Sequence, residues 1–219
     1  MNGGRKIAVV GGTGPQGRGL AYRFAAAGHD VVLGSRDGRR AEVTADEINA
    51  KLGRPAVHGD GNVRAVAGSE VVLLAVPWEG HSELVSSLGE HLAGRVVISC
   101  VNPLGFDAAG PYGLTVKESA AEEVQRLVPT ARVIGAFHHV AALSLWRSAG
   151  LMEDEDVLVC GDDTEAKAEV MEIAAAVTGR LGIDAGALRL ARQLEPLTAV
   201  LISMNKRYRT RTGIAVTGM

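Results

Sequence analysis

The chain has 219 residues, 47% of them hydrophobic and 22% charged, with a formal net charge of −2. That balance suits one soluble α/β domain, or one domain with a small appendage, and offers no general attraction to nucleic acid or an anionic membrane. Aromatics are only 4%, so the core must be built from Ala, Val, Leu and Ile, and no apolar run reaches the ~18 residues that span a bilayer.

The start, Met1-Asn2-Gly3-Gly4-Arg5-Lys6, lacks a signal-peptide pattern. Strands are predicted at Lys6–Val10, Asp30–Gly34, Pro55–Gly59, Glu70–Val76, Val96–Cys100, Arg132–Ala136 and Asp156–Cys160. Helices are predicted between them at Gly14–Ala27, Arg39–Leu52, Gly80–His91, Ser119–Leu127 and Glu165–Thr178. Strands such as Val71-Val72-Leu73-Leu74-Ala75-Val76 are apolar throughout, as expected of parallel strands covered on both faces. The alternation predicts a doubly wound, mainly parallel Rossmann-type sheet over residues 1–180. From residue 181 to 219 the pattern changes to a small C-terminal helical subdomain. Its Leu188–Ser203 helix carries so wide an apolar face that it needs a partner, either its own sheet or a second subunit in a homodimer. Cys100 and Cys160 each end a hydrophobic run, which reads as two buried reduced thiols in a cytoplasmic protein; a disulfide is the alternative.

Ile7-Ala8-Val9-Val10 runs straight into Gly11-Gly12-Thr13-Gly14-Pro15-Gln16-Gly17, and a helix follows. Gly12, Gly14 and Gly17 have the G-x-G-x-x-G spacing of a dinucleotide turn. In such a turn the first glycine makes the bend, the second lets a pyrophosphate approach and the third lets helix and strand lie close. The helix start adds free N–H groups and a partial positive charge. A Gly-rich turn without a ligand is the bland alternative, and the flanking strand and helix weigh against it. The second strand ends in Gly34-Ser35-Arg36, with Arg39 and Arg40 a turn later, where an NAD site would carry an acid. Ser35, Arg36 and Arg40 suit a 2′-phosphate, which makes the expected coenzyme NADP(H). Asp37, the nearest acid, lies just past the strand.

These motifs, with Ala27-Gly28-His29, Val76-Pro77-Trp78-Glu79, Ser119-Ala120-Ala121-Glu122 and Val159-Cys160-Gly161-Asp162-Asp163, resemble the F420-dependent NADP oxidoreductase family, collinearly over nearly the whole chain. The resemblance implies hydride exchange between NADP(H) and the deazaflavin coenzyme F420. It implies NADP contacts at Thr13, Gly14, Pro15 and Gln16, and a 2′-phosphate held by Ser35, Arg36 and Arg40. Val76, Pro77 and Trp78, with Ser82 nearby, would line the nicotinamide side. His138, Val140 and Ala142 would line the deazaflavin, and Thr212 would close the site from the C-terminal end. Ala141 and His139 depart from the family's Pro and Thr at their positions. Asn102 reads as a turn cap or as a deazaflavin contact.

Hydride transfer between two stacked rings requires no protein nucleophile, acid–base pair or metal, and none is indicated. His138 is expected to orient the deazaflavin without donating an essential proton, and a structural role for one of the two histidines is the alternative. Gly135, Ala136, Ala141 and Ala142 would leave room for a flat ring, or simply pack tightly. Asp162-Asp163-Thr164-Glu165 reads as a helix cap rather than a metal site, and Glu153–Asp156 as a solvated loop. The basic run Lys206-Arg207-Tyr208-Arg209-Thr210-Arg211 either attracts the coenzyme's anionic tail or is a charged helix end. The competing readings are an NADPH-dependent imine or pyrroline-carboxylate-type reductase, and a non-catalytic NADPH sensor.

Overall fold

A computed structural model describes residues 4–148 and 150–218, so Met1-Asn2-Gly3 of the start read above lie outside the described residues. The elements in chain order are β1 (Lys6–Val10), α1 (Pro15–Ala26), β2 (Asp30–Ser35), α2 (Gly38–Leu52), β3 (Val57–Gly61), α3 (Asn62–Ala67), β4 (Val71–Leu74), α4 (His81–Leu92) and β5 (Val96–Ser99). There follow β6 (Leu104–Asp107), β7 (Gly110–Gly113), α5 (Ala120–Leu127), β8 (Arg132–Gly135), α6 (Ala142–Arg147), β9 (Leu158–Gly161), α7 (Thr164–Thr178), β10 (Ile183–Gly186) and α8 (Ala191–Tyr208).

Eight strands form one sheet in the order β10-β9-β8-β5-β4-β1-β2-β3. The six from β3 to β8 are mutually parallel, β9 runs antiparallel to β8, and β10 is parallel to β9. This is the doubly wound, mainly parallel Rossmann-type fold that the apolar strands predicted. Alternate residues of one strand feed two cores. Ile7, Val9, Val71 and Leu73 enter the layer under α1, α2 and α7; Ala8, Val10, Val72 and Leu74 enter the layer under α3, α4 and α5. All eight are completely buried, which is why these strands show no polar alternation. Among the described residues, no helix is long and apolar enough to cross a membrane.

The differences from the sequence expectations are local. Strand β3 begins two residues late, at Val57, because the Asn49 carbonyl oxygen of the side chain takes the N–H groups of Ala56 and Val57. Helices α3 and α6, the β6–β7 hairpin and β10 were not predicted. Both helices are six residues long without a side-chain cap, and β10 is broken by a bulge between Asp184 and Gly186. The hairpin turns on Asp107, whose carboxylate accepts from Ala109 and Gly110 N–H, with Gly110 at φ 124°. Helix α8 runs three residues later at its start and five later at its end than the predicted Leu188–Ser203, with Pro196 inside it. Strand β10 lies beyond residue 181, yet it hydrogen-bonds to β9 as the edge of the main sheet.

Several charged groups are buried as fasteners. Arg23 donates from its guanidinium to the carbonyls of Ser144, Leu145, Ser148 and Gly150, capping the end of α6. Glu195 of α8 accepts the first N–H groups of α5, from Ala120 at 2.8 Å and Ala121 at 3.1 Å. Asp156 is buried, not solvated as expected for its run: it pairs with Arg180 at 3.1 Å and receives Val216 N–H from the C-terminal tail. Asp163 caps α7, as its position predicted, and Asp162 takes Leu188 N–H. Both cysteines are buried and free, as read from the sequence.

Burial lowers the proton affinity of His29, His81, His138 and His139. Histidines of the unfolded chain titrate near 6.5, so the stability these four contribute is complete above that value and lost as pH falls toward their folded values. Glu195 acts oppositely: burial raises it from 4.5 to about 7, so its contribution is complete below 4.5 and lost as pH rises through 7. The melting temperature should therefore fall on acidification from about pH 7 to 5. Glu195→Gln should make that fall steeper in thermal denaturation, and an unchanged slope would mean that Glu195 stays ionised in the folded protein.

Candidate functional site

The sheet reverses its winding between β1 and β4, and the loops at the carboxyl ends of the strands open there into two neighbouring clefts. One has a volume of about 610 Å³, ordinary for a small-molecule site. It runs from the start of α1 (Gly14, Pro15, Gln16), past Val76 and Pro77 after β4 and Cys100–Asn102 after β5, to α8 and the tail at Thr212. The other, about 830 Å³, opens beside Ser35 and Arg36 at the end of β2.

The Gly-rich turn is built by contact. Gly11 has φ 80°, and a Cβ there would lie 2.4 Å from Ala75 O, so the left-handed bend falls on Gly11 rather than Gly12. A Cβ on Gly12 would strike the Leu33 side chain, and one on Gly17 would stand 2.6 Å from Gly11 O; Gly17 thus lets α1 lie against the turn. Gly14 is the α1 N-cap without a side-chain cap, Pro15 is the first helical residue, and the first turn holds no acid. The first intrahelical bond runs from Arg18 N–H to Gly14 O, so the N–H groups of Gln16 and Gly17 precede the ladder and could receive an anion. A Cβ at Gly14 would touch nothing nearer than 3.4 Å, so a phosphate has a clear approach and the residues fit a dinucleotide. Thr13 sits half-buried in the turn, outside the cleft lining.

At the end of β2, Ser35 is buried and its Oγ accepts Asp37 N–H, while Arg36 and Arg40 are exposed. Asp37, the nearest acid, is used as the α2 N-cap, accepting Arg39 N–H at 3.0 Å. Arg36 borders the larger cleft together with Asn62 and Arg64, two residues of α3 that the sequence reading missed. Their one sequence signal was Asp60-Gly61-Asn62 directly after a strand.

The loop after β8 is held from three sides. Gln16 donates its side-chain amide to Phe137 O at 3.2 Å and Val140 O at 3.3 Å. Asn102 donates to His138 O, which also accepts Thr198 Oγ from α8. His139 Nε2 donates to Leu194 O of α8 at 2.7 Å, since a carbonyl can only accept. Phe137, fully buried against Phe24, is held at φ 64°, a left-handed backbone rare for an aromatic residue.

His138 lines the cleft, but its ring lies elsewhere. Nδ1 is 3.1 Å from Asn102 Oδ1, and Nε2 is buried beside Gly135 and Cys160 without a partner. Burial drives this imidazole down to about 3, so it stays neutral. Both histidines are therefore fasteners here, and Asn102 clamps His138 instead of capping a turn. Val140, Ala141 and Ala142 do line the cleft; Ala136 and Gly135 belong to the core. Trp78 stacks on His81 at 5.5 Å and Ser82 stands on the first turn of α4, both outside the cleft lining. Thr212 lines the far end, with its N–H and hydroxyl on Asn205 Oδ1 and its hydroxyl also on Leu201 O. Arg211 is exposed at that rim.

A mainly parallel sheet with a glycine-lined turn and an arginine-edged cleft at the switch point defines a Rossmann-type fold suited to a dinucleotide. A family model described as "NADP oxidoreductase coenzyme F420-dependent" matches residues 6–103. The chain is 36% identical over 222 residues to the F420-dependent NADP reductase of Methanothermobacter thermautotrophicus, covering 98% of this chain and 95% of that one. It is 35% identical to the enzyme of the same name from Methanocaldococcus jannaschii, covering 98% and 99%. A solved structure of a candidate F420-dependent NADP-reductase from Arthrobacter sp. FB24 superposes with a TM-score of 0.81 at 31% identity, covering 97% of this chain and 100% of that one. The chain belongs to the F420-dependent NADP oxidoreductase family.

Removing the Gln16 side chain should leave the Phe137 and Val140 carbonyls without their shared donor. Gln16→Ala is expected to lose about 1–2 kcal/mol in urea denaturation, with a raised KM for both coenzymes. A variant as stable as the parent would show that the loop is held without Gln16.

Proposed function

We propose that this protein catalyses reversible hydride transfer between NADP(H) and the deazaflavin coenzyme F420, with both held in the cleft at the sheet's switch point. The observation that carries this is the continuity of one cleft from the anion-binding start of α1 to Thr212 in the tail. When bound, the two coenzymes supply the reactivity, one ring giving a hydride and the other accepting it. The protein's own contribution is position and exclusion of water.

Gly12 and Gly14 shape the turn, and the N–H groups of Gln16 and Gly17 receive the pyrophosphate. Ser35, Arg36 and Arg40 receive the 2′-phosphate. Val76, Pro77, Val140 and Ala142 wall the ring site with no charge of their own. Cys100, which also lines it, is pushed by burial up to about 12 and keeps its proton. Residues 181–219 complete the site, since α8 supplies Thr198, Leu201 and Asn205 and the tail supplies Thr212. Nothing specific favours an imine reductase or a silent NADPH sensor. Mixing the enzyme with NADPH and oxidised F420 should bleach the deazaflavin absorbance, with imine and buffer controls flat; NADPH oxidation only with the imine would refute the assignment.

A cytoplasmic homodimer fits the outward face of α8. Leu197, Val200, Met204 and Tyr208 form one exposed stripe at helical spacing, beside Tyr112 of the hairpin. The fully reduced thiols suit the same compartment.

Arg36→Ala should cut the NADP-over-NAD preference in kcat/KM by about tenfold or more, measured with both coenzymes. An unchanged preference would place the 2′-phosphate elsewhere. The exposed cations Lys206, Arg207, Arg209 and Arg211 cluster where α8 gives way to the tail, with Arg211 in the cleft lining, and would attract the phosphate and glutamates of F420. The KM for F420 should then rise roughly tenfold between about 0.05 and 0.5 M salt, while a flat profile would leave the run as an ordinary helix end.

A further inference from the structure

A second arginine reaches the cleft beside Ser35, from an element that carries no part of the dinucleotide motif. Ser35 and Gly61 are register partners on adjacent parallel strands. The chain therefore leaves the sheet at neighbouring points, toward Arg36 and α2 from one strand and toward Asn62 and α3 from the other. The two exits touch: a Cβ on Gly38 would stand 3.2 Å from Gly61 N. Ser35, Arg36, Gly38, Gly61, Asn62 and Arg64 line the same cleft.

Arg64 is not loose there. Its Nε is 2.7 Å and its Nη2 2.5 Å from Asp60 Oδ1, and that oxygen also accepts Gly61 N–H at 2.6 Å. The carboxylate is thus tied to the backbone and holds one edge of the guanidinium. A guanidinium has five donors in a rigid fork. With Nε and one Nη2 hydrogen engaged, the Nη1 edge keeps its donors for a ligand. As a surface pair four residues apart, Asp60–Arg64 adds little to stability. Its value lies in order: a side chain already fixed loses less entropy when it binds. Asp60 on its own would repel a phosphate, and the bound guanidinium masks it.

We propose that Arg64 is a specificity-determining residue, gripping the coenzyme's 2′-phosphate from the α3 side with Asp60 as its tether. The proposal rests on the placement of that phosphate at Ser35 and Arg36.

The test is calorimetric titration of the full chain with 2′,5′-ADP and with 5′-AMP, which differ only in the 2′-phosphate. The parent should bind 2′,5′-ADP more tightly. Arg64→Ala should lose about tenfold for 2′,5′-ADP and nothing for 5′-AMP, and Arg64→Lys should fall between them. An Arg64→Ala variant with the parental ratio overturns the role of Arg64, and so does an equal loss for both nucleotides, which would be a structural effect. Arg36→Ala separates the two layers of the argument. If it keeps the full 2′-phosphate preference, the placement at Ser35 and Arg36 fails; if it loses the preference while Arg64→Ala does not, only Arg64 fails.

Discussion

The loop from Phe137 to Ala141 is the constraint on which the rest of the site depends. It forms the wall of the cleft, and its backbone is strained at Phe137, φ 64°. A left-handed aromatic residue costs on the order of 1–3 kcal/mol, so the surroundings must over-determine it. They do so with side chains from three separate parts of the fold: Gln16 from α1, Asn102 after β5, and Thr198 from α8. His139 adds a bond back to α8. The same Gln16 whose N–H precedes the α1 ladder holds the opposite wall with its side chain. The α1 end of the cleft and the loop that walls it are thereby one mechanical unit.

This arrangement explains why polar residues that look chemical are spent on structure. His138, His139 and Asn102 sit where a proton donor would be useful, yet each is occupied with a backbone carbonyl or with one another. Their burial keeps the imidazoles neutral, so the walls present little charge to two rings that exchange a hydride. A charged or mobile histidine would bring water with it. Reactions that borrow all their chemistry from coenzymes favour such walls.

Helix α8 is the second organiser. One face carries Glu195 into the start of α5, another carries Thr198, Leu201 and Asn205 into the cleft, and a third presents the exposed stripe ending at Tyr208. The tail then turns back, with Thr212 on Asn205 and Val216 on Asp156. The C-terminal forty residues are thus woven into the sheet domain, and β10 even joins its edge.

The repeating part of the design was legible in the sequence: apolar strands between Ala-rich helices, the glycines of the first turn, and Ser35-Arg36 at the end of the second strand. Each is a local rule, set by the period of a strand, the space inside a turn or the sign of a charge. The cap at Asp163 was legible for the same reason. What the sequence could not place were contacts between residues more than a hundred positions apart, such as Gln16 with Phe137 and Val140. Nor could it show that Trp78 and Ser82 stand outside the cleft, that the His138 ring turns into the core, or that Arg64 arrives beside Arg36. Those depend on which strand lies next to which, and on the crossing of α8. Local chemistry wrote the glycine turn into the sequence, while packing alone decided which side chains line the cleft and which hold its walls.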